Sequence, residues 1–503
     1  MALDISIFDT ITPSRFITFT IPNPSLSHHH HHHHLLRVAV LDSPIQLTDS
    51  PRVALMFVPR TRELDWIFCT ESGHLQLLLT CPQISRLILI GDQPTDGPDL
   101  PIMYHRPDQS DDVSDNIQEE SVRPLVTALS RKFCVKNGIY DVPIVSYEDN
   151  VIFSVVLEKC VGDFVGEMLV EDVEIESDGS ECNKREFRRR LRFKRMPNLI
   201  QTEIKIVPET CLSSDSMIEE NVKFRPDTGV LVHVYLMPMV ASCALIGSYL
   251  SERIRLGFRP KALCVGVGGG ALVSFLGTQL GFEVVGVEMD EEVLRVSRRY
   301  FGLEDGEFIR VCVGDAIEFI EKLACQANVQ NSDSLGIRGM QDGCYLNDGD
   351  GLDTKFDVVM VDLDSADVRN GVTAPPLEFI RKNVLLAARR VLSDSGILVI
   401  NVIHPSRSFY EMLIHEFREI FHELYEIDVG NGENFVLIAT VLPIVSSVSD
   451  CDNTFLKKLS SVLKESRFSK ALAGTIFLVH GGFSYLSLPD VPIDAALQIV
   501  LSF

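Results

Sequence analysis

The stretch KALCVGVGGGALVSFLGTQLGFEVVGVEMD, Lys261 to Asp290, reads as strand, glycine turn, helix, strand and acid. Ala262 to Val267 is a short apolar run with β-branched residues, suited to a strand buried on both faces of a parallel sheet. Gly266, Gly268, Gly269 and Gly270 crowd its end. Glycine tolerates positive φ and lets a ligand approach backbone where a Cβ would clash. Ala271 to Leu280 has helical spacing. Phe282 to Val287 is a second strand that delivers Glu288 at its carboxyl end, 20 residues after Gly268. Dinucleotide-type folds place at that point the acid that holds a ribose.

Two further strands extend the pattern. Phe308 to Val313 leads to Gly314 and Asp315, and Phe356 to Val361 leads to Asp362, Asp364 and Ser365. Four such strands bring Gly266, Glu288, Asp315 and Asp362 to one edge of one sheet, where ligands bind in open α/β folds. A nicotinamide dinucleotide needs its pyrophosphate cradled at a helix N-terminus. S-adenosylmethionine has no phosphate but carries a ribose diol and an adenine. The four-part set points to an S-adenosylmethionine site. Gly266, Gly268, Gly270, Glu288, Met289, Asp315, Ala316 and Asp362 are the expected cofactor-binding residues, with Glu288 on the ribose and Asp315 on the adenine amino group. Asp362 and Asp364 are the expected catalytic pair, placed to bind an incoming ammonium and steer its proton away. The bland alternative for Asp364 is a cap on the following loop. His404 is a weaker candidate base, and His233 and Tyr235 stand where a substrate mouth would form. No metal site is expected.

The rest of the chain fits this core. Pro238 to Leu256 reads as an amphipathic helix with Pro in its first turn. Pro375 to Leu392 and Phe409 to Phe421 read as helices, and Gly396 to Val402 as a fifth strand. Tyr425 to Val429 and Phe435 to Thr440 flank Gly430-Asn431-Gly432-Glu433, and Asn-Gly is a strong hairpin signal. Asn453 to Glu465 is a further helix and Thr475 to Val479 a late strand. Five parallel strands closed by a hairpin form the seven-stranded, Rossmann-like plan of the class I methyltransferases, an α/β fold. The polar, Gly- and Asp-rich segment Ala324 to Leu352 reads as an exposed flexible insertion.

Residues 1–210 read as a β-rich N-terminal domain before a catalytic domain at 211–503. Its expected strands are Ile17–Ile21, Arg37–Leu41, Ala54–Val58, Trp66–Cys69, Arg86–Ile90, Val151–Leu157 and Leu199–Ile206, with Asp96 to Asp115 a loop. His28 to His34 is a run of seven histidines, read as a loop without metal function. Lys184 to Arg195 carries eight basic residues in twelve. A nuclear-import or RNA-binding patch is the sharper reading. A solvated strand pair with Phe187, Leu191 and Phe193 facing inward is the favoured one.

The net charge of −24 argues against general nucleic-acid binding, whose phosphates demand Lys and Arg surfaces. It suits a basic protein partner through electrostatic steering. Twelve cysteines without a CxxC pair, several inside apolar runs (Cys243, Cys264, Cys312), read as buried free thiols in a reducing compartment. No apolar run is long enough to span a membrane, and residues 1–26 make a poor signal peptide. The expected location is the cytoplasm.

Several motifs together resemble one family. VALMFVPRTRELDWIFCTESG (53–73), GEMLVEDVEI (166–175) and RRRLRFKRMPNLIQTEIKIV (188–207) resemble the segment before the C-terminal catalytic domain of the methyltransferase-like protein 13 family, the elongation factor 1-alpha lysine and N-terminal methyltransferases. CVGVGGGALVSFL, VGVEMD and VMVDLDSADVRNGVTAPPLEFI (359–380) resemble its catalytic core. The resemblance implies S-adenosylmethionine-dependent trimethylation of the N-terminal α-amine of elongation factor 1-alpha. The family's separate lysine-directed half has no counterpart here, since the chain holds one glycine-strand site. The core is also similar to spermidine synthases, which use decarboxylated S-adenosylmethionine. They carry an Asp directly after the triple glycine, where this chain has Ala271. An aminopropyltransferase and a non-catalytic module with the same fold are the rival functions.

Overall fold

The computed structural model describes residues 4–24, 35–45, 52–81, 83–93, 103–107, 112–130, 135–136, 139–140, 142–176, 186–209, 222–329, 355–367, 371–403, 406–432, 434–444, 453–465 and 476–478. The poly-histidine run, residues 330–352 of the expected insertion and His404 lie outside them. The chain divides into two compact units, Met1–Cys160 with Gly166–Ile200 and Asp367–Arg369, and Val161–Val165 with Gln201–Ala366 and Asn370–Phe503.

The first unit is built on two sets of strands. One has the order Phe16–Pro22, Leu35–Asp42, Arg86–Asp92, Val53–Phe57, antiparallel except for the last, parallel pair. Leu36, Val38, Val40, Ile88 and Ile90 form its core against Val122, Val126 and Leu129 of the helix Asp112–Ser130. That helix begins inside the stretch expected to be a loop. The segment Trp66–Cys69 is helical, not the expected strand. The Asp65 carboxylate accepts from Ile67 N at 3.0 Å, and the Thr70 hydroxyl accepts from Gly73 N at 3.0 Å to start the helix Glu71–Leu79. Two side-chain caps in a row override β-favouring residues, because each satisfies a backbone donor that a helix start leaves orphaned.

The second set includes Met103–His105, Val151–Gly162, Gly166–Ile175 and Glu186–Phe193 in spatial order. The basic run is the single strand Glu186–Phe193, paired antiparallel to Gly166–Ile175. Phe187, Leu191 and Phe193 are buried as expected, but so are Arg189 and Arg192. Arg189 makes two hydrogen bonds to Asp172, at 2.6 and 2.8 Å, and Arg192 meets Glu171 at 2.8 Å and Asp65 at 3.1 Å. Arg189 and Arg192 are therefore not solvated, since their guanidinium groups are neutralised inside the fold.

In the second unit we number the strands of one eight-stranded sheet: β1 (Lys261–Val265), β2 (Glu283–Glu288), β3 (Ile309–Val313), β4 (Phe356–Val361), β5 (Leu392–Ile403), β6 (Glu423–Asp428), β7 (Asn434–Thr440) and β8 (Ile476–Leu478). Their order is β3-β2-β1-β4-β5-β7-β6-β8. β1 to β5 are parallel, and β7, β6 and β8 pair antiparallel. This is the expected α/β plan, with β8 a short eighth strand beyond the seven. Alternation sorts the residues. Ala262, Cys264, Val358 and Met360 face one core, and Leu263, Val265, Val359 and Val361 face the other. The first core packs residues of 236–250, α1 (Ala271–Phe275), α2 (Glu291–Tyr300) and α6 (Thr454–Glu465). The second packs residues of α3 (Ala316–Val329), α4 (Lys382–Val391) and α5 (Arg407–Arg418).

Four expectations are corrected here. α3 continues to Val329, so residues from Ala324, which is buried, belong to a helix and not to an insertion. Pro375 does not begin a helix; α4 starts at Lys382. The helix expected over 238–256 is broken into Leu236–Ala241, Ser242–Ile246 and Gly247–Arg255. Cys243 and Cys264 are buried free thiols, but Cys312 is disulfide-bonded, against the expectation of a free one. Among the described residues no helix is long and apolar enough to cross a membrane.

Candidate active site

The carboxyl ends of β1, β2, β3 and β4 gather Gly266, Glu288, Asp315 and Asp362 at one sheet edge. The glycine turn is tightly specified. Gly266, Gly268 and Gly270 have φ of 83°, 52° and 82°, in the left-handed region. A Cβ on Gly266 would also lie 2.2 Å from the Asp362 carbonyl oxygen. Gly269 has ordinary φ, but its Cβ would lie 2.4 Å from Thr202 Cγ2.

Each amide of this turn donates within the protein. Gly266 N donates to Val287 O at 3.0 Å and Gly270 N to Val267 O at 2.8 Å. Val267 N and Gly268 N both donate to Glu288 Oε2 at 3.1 Å, and Gly269 N donates to Thr202 Oγ1 at 2.8 Å. The other Glu288 oxygen accepts from Met289 N at 3.1 Å and Asp290 N at 3.3 Å. Burial raises the Glu288 pKa, and the four backbone donors oppose that rise. A turn whose amides are used in this way, with a carboxylate seated on it, repels a pyrophosphate. It accommodates a ligand that brings hydroxyls and an uncharged ring.

Met289 is exposed beside Glu288. Asp315 Oδ1 accepts from Ile317 N at 2.7 Å and Glu318 N at 3.1 Å, so Asp315 caps α3, with Ala316 its first residue. Asp290 does not join the site; it caps α2 through Glu292 N and accepts from Phe164 N and Val165 N at 2.8 and 3.0 Å.

Asp362 is held at both oxygens. Tyr235 Oη donates to Oδ2 and Asn401 Nδ2 to Oδ1, each at 3.1 Å. Burial pushes its pKa up to about 6; the two donors oppose this, and neighbouring Asp364 adds to it. Tyr235 is pushed well above its usual value by burial and by Asp362, so it stays a donor. His233 stacks on Tyr235 with ring centroids 5.4 Å apart. Asp364 is half-buried, with Gln201 Nε2 at 3.5 Å from its Oδ2. The structure thus brings Asp362 and Tyr235 together and sets Asp364 in the same loop.

No protein-family model matches the chain. Over 418 residues it is 24% identical to the eEF1A lysine and N-terminal methyltransferase of Xenopus laevis, covering 79% of this chain and 52% of that protein. The chain resembles the eEF1A lysine and N-terminal methyltransferases. It spans about half the length of the curated relatives it matches. It is also 26% identical over 191 residues to a polyamine aminopropyltransferase of Vibrio vulnificus, covering 37% of this chain and 52% of that enzyme. Among solved structures, human methyltransferase-like protein 13 in complex with SAH aligns with a TM-score of 0.36 and 19% identity, over 50% of this chain and 96% of that one. The family resemblance carried by the motifs is therefore also found by comparison along most of the chain.

Reading the sequence missed Thr202, Gln201, Asn401 and Asn434. Only Asn401 left a signal, as one amide inside the apolar strand Gly396 to Val402. A buried polar group in such a run must find partners.

Proposed function

We propose that the chain is an S-adenosylmethionine-dependent protein methyltransferase whose acceptor is the N-terminal α-amine of elongation factor 1-alpha. The observation that carries the cofactor class is the glycine turn, whose amides are spent on Glu288, Thr202 and neighbouring carbonyls. A phosphate-free nucleoside suits it and a dinucleotide does not. Gly266, Gly268 and Gly270 would let the nucleoside lie against backbone. Glu288 would accept from the ribose hydroxyls, Met289 and Ala316 would flank the adenine, and Asp315 would meet its amino group. The bound cofactor supplies an electrophilic methyl group on a sulfonium sulfur.

The protein's task is then to present an uncharged amine. Alignment alone supplies ~7–11 kcal/mol of such a barrier. An α-amine has a reference pKa of about 7.7–8.0, against about 10.4 for lysine, so less is needed to deprotonate it. Asp362 is ionised above about pH 6 and would hold the ammonium and accept its proton. Tyr235 fixes the carboxylate's direction, and Asp364 adds negative charge at the same loop. The acidic chain favours a basic protein acceptor. Ala271, where spermidine synthases carry Asp, weighs against a diamine acceptor.

Purified protein is incubated with elongation factor 1-alpha bearing a free N-terminus, plus labelled S-adenosylmethionine or its decarboxylated form. Mass spectrometry should find methyl groups on the α-amine. Label only on internal lysines, or aminopropyl transfer to a diamine, overturns the reading.

A further inference from the structure

Three asparagines form a chain from the surface to Asp362. Asn431, in the turn between β6 and β7, donates from Nδ2 to Asn434 Oδ1 at 2.8 Å. Asn434, buried at the start of β7, donates from Nδ2 to Asn401 Oδ1 at 2.9 Å. Asn401, buried in β5, donates to Asp362 Oδ1 at 3.1 Å. The direction of every amide is determined from its far end. The backbone Asn434 N donates to Asn431 Oδ1 at 2.9 Å. A backbone N–H can only donate, so Asn431 must turn its oxygen toward it and its Nδ2 toward the Asn434 side chain. Each following amide is then forced into one orientation, with its donor end toward Asp362.

We propose that Asn431 and Asn434 are positioning residues that act through Asn401, locking its amide so that a donor and not an acceptor faces the Asp362 carboxylate. Amides aligned head to tail polarise one another, and in a site of low dielectric the last donor is worth more for it. The chain favours the ionised carboxylate against the burial that favours the neutral acid. Among the described residues the other titratable groups near Asp362 are the Tyr235 hydroxyl before the helix Leu236–Ala241, the Asp364 carboxylate on its own loop and the buried Cys264 thiol of β1. Tyr235 is a donor whichever way the asparagines turn, and Asp364 pushes the other way. Among the described residues the asparagine chain links the site to the surface turn by hydrogen bonds with a defined direction.

Asn431→Asp tests this from the exposed end. A carboxylate there still accepts from Asn434 N but also faces the Asn434 Oδ1. Asn434 must then flip, Asn401 follows, and an amide oxygen faces Asp362. Asn434→Leu removes the middle link and leaves Asn401 free to turn. The readout does not need catalysis. Unfolding stability is measured against pH for each background with and without Asp362→Asn, at high salt to screen the added surface charge. The pH above which the difference between the pair stops changing reports the Asp362 midpoint in the fold. In the Asn431→Asp background the midpoint should rise by about one pH unit, a tenfold change in the ionisation equilibrium, and in the Asn434→Leu background by less, since a freed amide still turns its donor to the carboxylate. The acid limb of kcat/KM for methyl transfer should move by the same amount, with KM for S-adenosylmethionine unchanged. That second effect rests on the function proposed above. An unmoved midpoint in the Asn431→Asp protein overturns the inference, as does a loss of rate that is equal at every pH. A raised midpoint in a protein whose parent methylates no amine supports the positioning role and overturns the proposed function instead.

Discussion

At Asp362 the sign of the pH dependence follows from its raised pKa. Its ordinary value is 3.8 and its value in the fold is about 6. Below both, the carboxyl is protonated in either state and stability is greatest. Between them the unfolded chain releases its proton first, so stability falls as pH rises and levels off above about 6. That difference corresponds to ~3 kcal/mol. Asp362→Asn removes this loss. Its stability relative to the parent should therefore rise by about that amount from pH 4 to pH 6.5, measured by denaturant unfolding. Turnover should fall, measured as the initial rate at saturating S-adenosylmethionine. A second residue makes a contrasting case. Glu288→Gln keeps the shape but turns an amide N–H₂ toward two backbone donors. We expect ~1–3 kcal/mol of destabilisation from the donors left unpaired, read as a lower melting temperature. The acid was visible in the sequence by its spacing from Gly268. Its second task, holding the turn closed, was not, because four of its bonds come from backbone that only the folded turn places.

Among the elements, the glycine turn and the buried arginine strand differ in how they can be read. Gly266→Ala meets both a positive φ and a backbone oxygen at 2.2 Å, and neither can relax without moving β4. It should cost more than ~2 kcal/mol and abolish cofactor binding, by thermal melt and titration. The turn was legible because glycine clusters leave a mark in the sequence. The strand Glu186–Phe193 was not, since a run of arginines reads the same whether its partners are water or carboxylates. Asp172→Ala strips Arg189 of its two-bonded partner in a buried place and should cost ~3–5 kcal/mol. A change below ~1 kcal/mol in denaturant unfolding would return Arg189 to the class of surface charges. Helix boundaries failed for a related reason. At Asp65 and Thr70 the caps decided the backbone, and at Pro375 the chain runs on seven residues before α4 begins.

For the whole molecule, the net charge of −24 makes a kinetic prediction. If it steers a basic acceptor, kcat/KM should fall steeply as salt is raised across the physiological range while kcat changes little, because screening shortens the reach of the field. A salt-independent kcat/KM in stopped-time assays would reduce the charge to a matter of solubility. At this scale the sequence alone determined the parallel sheet, the strand ends that carry Gly266, Glu288, Asp315 and Asp362, and the family that the chain resembles. Those are local properties, since hydrophobic runs, glycines and acids act over a few residues or repeat at strand period. The tertiary structure alone decided what those groups face. It seats Glu288 on the turn's amides, sets Tyr235 and Asn401 on the two oxygens of Asp362 across more than a hundred and 39 residues of chain respectively, and buries Arg189 and Arg192 on acids. Hydrogen bonds and ion pairs depend on distances of about 3 Å between groups far apart in sequence, and only packing brings them within that range.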